Sequence, residues 1–132
     1  MLVTRETDYA VRTVLYLARD HERVVSVTEI AEAMLIPKSF LAKILQRLVK
    51  NNIVQSVRGV KGGFRLAKKT SDISLLSVME AIQGVTGINV CAVDSRKCKI
   101  SSACVVHPVW VELRKDVEAR LKKQTIASLL RS

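Results

Sequence analysis

Three cysteines and one histidine carry the first candidate chemistry, since Cys91, Cys98, Cys104 and His107 all lie within one stretch of 17 residues. Thiolates are soft ligands for iron and zinc, and an odd number of cysteines fits a disulfide framework poorly. Spacing separates the metals. Structural zinc normally shows cysteines paired at roughly two to four residues, whereas a C-x6-C-x5-C segment suits a loop that wraps three thiolates around one iron-sulfur cluster. Three thiolates leave such a cluster one ligand short. His107, three residues after Cys104 and next to Pro108, would supply an imidazole suited to an iron of a 2Fe-2S centre. Asp8, remote in the chain, could instead be donated by a second subunit. Arg96, Lys97 and Lys99 would offset the anionic charge of a thiolate-bound cluster. The competing structural roles are buried inert cysteines, a helix-capping or packed histidine, and a solvated carboxylate at a helix start.

The second candidate chemistry is electrostatic. The 132 residues hold 22 Lys plus Arg against 12 Asp plus Glu, a net charge of +10, and the natural partners of such a chain are polyanions. Residues 1–70 hold 13 basic and 6 acidic residues, while 71–132 hold 9 and 6. Within the first half, Lys38 to Lys69 contains nine basic residues and no Asp or Glu. A charge run alone is often only a solvated face, so its meaning depends on the elements that carry it.

Those elements are legible from periodicity. Apolar positions Tyr9, Val11, Val14, Leu15, Leu17 and Ala18 predict a buried helix starting near Thr4. Ser26-Val27-Thr28-Glu29 reads as a capping box, with Val25 and Ile30 as its hydrophobic staple, and predicts a helix over 27–34. Leu35-Ile36-Pro37 interrupts it, and the proline is suited to opening the next helix. There Phe40, Leu41, Ile44, Leu45, Leu48 and Val49 form one apolar stripe, with Ser39, Lys43, Gln46, Arg47 and Lys50 largely on the other side. Two short helices around a three-residue turn form the helix-turn-helix pattern. From Ile53 the period switches to two, and Ile53–Val57 and Phe64–Ala67 predict a hairpin with the glycine-rich basic tip Arg58-Gly59-Val60-Lys61-Gly62-Gly63. The tip lacks the spacing of nucleotide-binding loops, and its place after a helix-turn-helix makes it a wing that follows DNA. A helix from Leu75 to Gln83 should stop at Gly84. Beyond Pro108, Val109, Trp110, Leu113, Val117 and Leu121 mark a long amphipathic helix, and Thr125 caps a last turn over 126–130. A lone amphipathic helix must bury its stripe, and its twin in a homodimer is the expected place.

Taken together, the chain resembles the winged-helix iron-sulfur transcription regulators of the IscR and NsrR type. The likeness runs through Asp8-Tyr9-Ala10-Val11-Arg12, Ile30-Ala31, Leu41 to Leu48, the wing string Val57 to Leu66, and Cys104-Val105-Val106-His107-Pro108-Val109-Trp110. It implies a dimeric bacterial regulator whose cluster reports iron-sulfur supply, oxygen or nitric oxide. The Cys104–His107 spacing matches the ligand pattern of the iron-sulfur cluster regulators, which implies 2Fe-2S. Asp8 matches the position from which some nitric-oxide sensors give a carboxylate to the partner's 4Fe-4S cluster. The first cysteine gap is one residue longer than in the former group, and Ala42 stands where IscR-like proteins can carry a base-reading carboxylate.

The expected fold is mainly α with a small β-hairpin wing. Residues 1–84 would form a winged helix-turn-helix DNA-binding domain, 85–107 a cysteine-rich cluster loop, and 108–132 a dimerisation helix and C-terminal turn. Ser39 and Lys43 would lie nearest the bases of a double-stranded operator. Arg47, Lys50, Arg58 and Lys61 would contact mainly phosphates, with Arg58 reaching the minor groove, and Thr28, Lys38 and Gly59 complete the expected DNA-binding set. A cluster-free switch in which Cys98 and Cys104 form a reversible disulfide is the rival reading. An RNA-binding module is disfavoured by one Trp, two Tyr and two Phe, which provide few stacking platforms. No paired carboxylates, nucleophile-base set or cofactor fingerprint points to an enzyme or a small-molecule substrate. No membrane span or export signal is expected, so the location would be cytoplasmic, on the nucleoid.

Overall fold

The computed structural model describes residues 3–84, 94–100 and 102–132. Helix α1 (Arg5–Ala18) begins where Thr4 Oγ1 accepts from the Thr7 amide, and its buried face is Thr7, Ala10, Thr13, Val14, Leu17 and Ala18. Helix α2 (Val27–Met34) and helix α3 (Lys38–Lys50) follow. Strands β1 (Val54–Val57) and β2 (Gly63–Leu66) pair antiparallel, with Val54 opposite Leu66 and Val57 opposite Gly63. A 3-10 turn over Thr70–Asp72 leads into α4 (Leu75–Gln83). After a second 3-10 turn at Ser95–Lys97 come α5 (His107–Lys123) and α6 (Ile126–Leu130).

One core serves the head, the wing base and the chain end. Leu17, Ile30, Leu41, Leu45, Leu48, Ile53, Ile73, Val78 and Ile126 are all at most 2% exposed and belong to a single cluster. Leu48 and Leu45 on α3 therefore tie the reading head to α1 and α4, against which α3 packs.

Several local outcomes depart from the sequence expectations. The capping box at Ser26 forms only by half. Its hydroxyl accepts from the Glu29 amide at 3.2 Å, but the Glu29 carboxylate takes the Tyr16 hydroxyl at 2.6 Å and the Arg23 guanidinium. A charged donor and a phenol are stronger partners for a carboxylate than a backbone amide, so the carboxylate ties α2 to α1. Phe40, expected in the buried stripe of α3, is 50% exposed. It stands about a quarter turn from the direction that Leu41, Ile44, Leu45 and Leu48 share at ~100° per residue. The turn after α2 is set by Leu35 in the left-handed region, φ 56° and ψ 48°, with the Ile36 amide donating to the Ala31 carbonyl at 3.0 Å. A leucine there costs roughly 1–2 kcal/mol, and nothing in periodicity signals it.

The wing is also anchored by a contact with no sequence signature. Val25 forms an isolated bridge to Phe64, the two residues exchanging amide-to-carbonyl bonds of 2.8 Å each way. A Cβ on Gly63 would lie 2.3 Å from the Val25 carbonyl oxygen, so only glycine lets the two backbones approach. At the far end α4 stops where expected, with Gly84 at φ 80° and its amide donating to the Glu80 carbonyl. Residues 124–126 then return to the core. The Leu75 amide donates to the Gln124 carbonyl and the Ile126 amide to the Ile73 carbonyl, each at 2.8 Å. A reciprocal capping box between Thr125 and Ser128 starts α6. Residues 124–126 are thus part of the winged core, and α5 packs against α4 with a half-buried face that includes Trp110, Val117 and Leu121.

Candidate functional site

The reading head is built from the turn outward. Pro37 begins α3 without a side-chain cap bond, its carbonyl accepting from the Phe40 and Leu41 amides at 3.1 and 3.0 Å. Four residues, Leu41, Ile44, Leu45 and Leu48, bury one face of the helix. That burial presents Lys38, Ser39, Ala42, Lys43, Gln46 and Lys50 to solvent. Thr28 is exposed on the first turn of α2, and its helix is held by the Tyr16–Glu29–Arg23 contacts. The Arg23 guanidinium, then the Tyr16 hydroxyl, holds the Glu29 carboxyl below the usual carboxylate range. The same bond to Glu29 raises the Tyr16 phenol.

Arg47 occupies a different setting from the lysines of the same helix. It donates from Nη1 to the Ile82 carbonyl at 2.9 Å, linking α3 to the last turn of α4. One of its five N–H donors is used in this way. A 240 Å³ hollow lined by Glu6, Phe40, Lys43, Ile44 and Arg47 lies on this flank. On the same last turn of α4, Gln83 Oε1 accepts from the Thr4 amide at 3.1 Å and the Thr7 hydroxyl at 2.7 Å. Ile82 and Gln83 thus fasten the segment leading to the cysteines to both α3 and α1, a junction that sequence periodicity does not reveal.

At the wing tip Arg58, Gly59, Val60 and Lys61 are all exposed. Gly59 adopts φ 115°, and the space on the side where a Cβ would project is open to 4 Å, while its carbonyl accepts from the Gly62 amide at 2.9 Å. The tip therefore projects two cations from the hairpin with no acidic neighbour in the Lys38–Lys69 stretch.

Around the cysteines, local backbone order is specific. Asp94 caps the Ser95–Lys97 turn, its Oδ1 accepting from the Arg96 amide and from Arg96 Nε, both at 3.1 Å. The Arg96 side chain, then its amide, holds the Asp94 carboxyl below the usual range. Cys98 follows directly, its amide donating to the Ser95 carbonyl at 3.3 Å. Cys98 and Cys104 are half-buried free thiols. Cys104 is joined to His107 by the His107 amide, which donates to the Cys104 carbonyl at 3.3 Å. The imidazole Nδ1 of His107 is buried and has no hydrogen-bond partner among the described residues. Cys91 lies outside the described residues. Among the described residues no three His, Cys, Asp or Glu side chains stand together as a ready metal site. Asp8 is exposed on α1 and ion-paired with Arg12 at 2.7 Å.

A buried helix-turn-helix whose second helix is polar on its outer face, followed by a cationic hairpin, defines a DNA-binding winged helix. The chain belongs to the Rrf2 family of transcriptional regulators, described as "Iron-dependent Transcriptional regulator", whose model matches residues 3–132. It is 34% identical over 132 residues to a protein of Aquifex aeolicus (strain VF5) named as an HTH-type transcriptional regulator, covering 98% of this chain and 92% of that one. Among solved structures it is similar to IscR of T. potens, with a TM-score of 0.78 and 26% identity over 99% of this chain and 87% of that one. CymR, the global cysteine regulator of B. subtilis, shares the fold with a TM-score of 0.79 at 20% identity, over 98% and 95% of the two chains. Transcription regulators rather than enzymes are what this chain is similar to. Among the described residues no helix is long and apolar enough to cross a membrane.

Proposed function

We propose that this regulator binds its operator as a homodimer and that an iron-sulfur cluster, of 2Fe-2S type, controls the binding. Cys91, Cys98, Cys104 and His107 would hold the cluster. The observation that carries this reading is the buried Nδ1 of His107, which has no hydrogen-bond partner among the described residues. A buried imidazole nitrogen without a partner is costly, and a metal ligand is one of the few roles that repays it. Cys98 and Cys104 fit the same role, being free thiols on either side of a short turn segment. Asp8, given by the second copy to a 4Fe-4S cluster, is the less supported fourth ligand because it would first have to leave Arg12. When bound, the cluster would supply a redox- and nitric-oxide-sensitive iron centre.

The chain's own residues would do the rest. α3 would enter the major groove with Ser39 and Lys43 nearest the bases. Lys50 and Lys61 would face phosphates, as would the donors of Arg47 not given to Ile82, Arg58 would reach the minor groove, and Thr28, Lys38 and Gly59 would complete the DNA-facing set. The apolar side of α5, with Val109 55% and Leu113 40% exposed, would pack against its twin and set the spacing of two heads. Cluster binding at these residues would bias DNA-competent against incompetent dimers, a population shift that needs only a few kcal/mol of differential affinity.

Anaerobic purification followed by native mass spectrometry, visible absorption and Mössbauer spectroscopy tests the cluster. A coloured dimer that loses its absorption and changes DNA affinity on His107→Ala is expected. A colourless protein that keeps its DNA affinity with all three cysteines changed to Ala refutes it. Operator affinity should also fall with a log-log salt slope of about 0.9 per neutralised phosphate, and a salt-insensitive affinity contradicts the DNA reading.

The free thiols of Cys98 and Cys104 favour one second reading. In it the two sulfurs lose two protons and two electrons to an oxidant such as a peroxide and form a reversible disulfide. Iron- and sulfide-free protein from anaerobic cells, with DNA affinity changed by oxidation, selects this reading over the cluster.

A further inference from the structure

The buried face of α3 determines which of its side chains can reach furthest into a groove. Leu41, Ile44, Leu45 and Leu48 are its buried residues. At ~100° per residue, Ser39, Lys43, Gln46 and Lys50 fall within about 30° of the opposite direction, whereas Ala42, Arg47 and Phe40 stand about 70° to 90° away. These four residues form the outermost ridge of the helix, and all are exposed. Arg47 is further withdrawn by its bond to the Ile82 carbonyl.

The ridge members differ in what they can recognise. Lys43 and Lys50 only donate, and Lys50 is the last residue of the helix, where docked helices of this kind contact backbone rather than bases. Ser39 offers a single short hydroxyl. Gln46 alone on the ridge carries a donor and an acceptor on separate atoms. Its side chain makes no hydrogen bond among the described residues, which leaves the side-chain amide uncommitted there. From Ser39 to Gln46 the ridge runs about 10 Å along the axis, the length of about three base-pair steps. Lys38 to Lys69 also contains no Asp or Glu, which removes the usual acceptors for the cytosine amino group.

We propose that Gln46 is a specificity-determining residue that reads one adenine in each half-site. Its Oε1 accepts from the adenine N6 amino group and its Nε2 donates to N7, the bidentate pairing that glutamine makes in a major groove. This rests on α3 being the major-groove helix, and the test separates the two ideas. The full chain, with and without reconstituted cluster, is used to select binding sites from randomised duplex DNA. The unaltered chain should recover an adenine at symmetric positions of the two half-sites. Gln46→Ala should lose the preference at that position alone, with about tenfold or greater weakening on the selected site. Gln46→Glu should shift it toward cytosine, whose N4 amino group donates to a carboxylate. Replacing that adenine with 7-deazaadenine, which lacks the N7 acceptor, should weaken the unaltered chain and leave Gln46→Ala unaffected. Because Gln46 is exposed, the melting temperatures of the variants should match that of the unaltered chain. A motif and affinity unchanged by Gln46→Ala, with salt-dependent duplex binding intact, overturn the role of Gln46 and leave the reading head standing. If the unaltered chain shows no salt-dependent duplex binding, both ideas fall.

Discussion

Helices α3 and α5 are both amphipathic, yet the chain treats them oppositely. α3 buries Leu41, Ile44, Leu45 and Leu48 within its own core and turns its polar side outward. α5 buries no residue at all and leaves Val109 and Leu113 exposed. One helix buries most of its apolar face and offers hydrogen-bonding groups; the other leaves Val109 and Leu113 uncovered among the described residues, with Trp110, Val117 and Leu121 half-buried. Amphipathicity therefore says that a helix has two sides, and the neighbours decide which side is spent inside the chain.

The sharpest way to break this comparison is to remove the packing that makes α3 self-sufficient. Leu48→Ala should destabilise the chain by about 2–5 kcal/mol, measured by denaturant unfolding. A loss below about 1 kcal/mol would mean that the head is not held by its core. On the other side, Leu113→Lys should leave the unfolding of the monomer nearly unchanged while raising the dimer dissociation constant by about 30-fold or more. Sedimentation equilibrium checks this, and an unshifted dimer would move the interface off α5. A smaller effect is expected where α2 begins. Ser26→Ala removes the acceptor for the Glu29 amide and should cost about 1 kcal/mol in thermal unfolding.

The smallest effect concerns pH. Glu29 has its carboxyl held down by Arg23 and Tyr16, so its contribution is present above the ordinary glutamate range and is lost as pH falls through the depressed folded value. Tyr16 is raised, so its contribution holds below the ordinary tyrosine range and disappears as pH climbs through the folded value. Melting temperatures of the unaltered chain and Glu29→Gln should therefore differ at neutral pH and converge as acid takes the pH through the depressed folded value of Glu29. Curves that stay parallel into acid would show that the contacts of Glu29 with α1 and Arg23 contribute nothing.

Much of the fold is legible in the sequence because its signals are local. The stripe of α3 is periodic over 13 residues, Ser26 and Thr125 announce helix starts, and Gly84 marks a stop. The Glu29 carboxylate escapes such a reading because Tyr16 and Arg23 lie 13 and 6 residues away in sequence, and no local rule ranks them above its own helix end. Phe40 is misplaced by a stripe drawn too wide, since at ~100° per residue it stands about a quarter turn from the direction of Leu41, Ile44, Leu45 and Leu48. For the candidate site, the cationic tip and the Cys104–His107 spacing can be read directly. The tie from Arg47 to Ile82 cannot, since a backbone carbonyl 35 residues away leaves no trace in residue type.

Residue order by itself determined the helix boundaries, the position of the wing, the absence of acid between Lys38 and Lys69, and the clustering of thiols with an imidazole. These follow from rotamers, hydrogen bonds and charges that act over a few residues. Only tertiary structure decided that Ile126 returns to the core beside Ile73, that Val25 clamps the wing, and that the Nδ1 of His107 is enclosed without a partner among the described residues. Burial and unmet hydrogen-bonding capacity belong to the packed assembly of distant segments, because removal of water from an atom depends on everything that surrounds it.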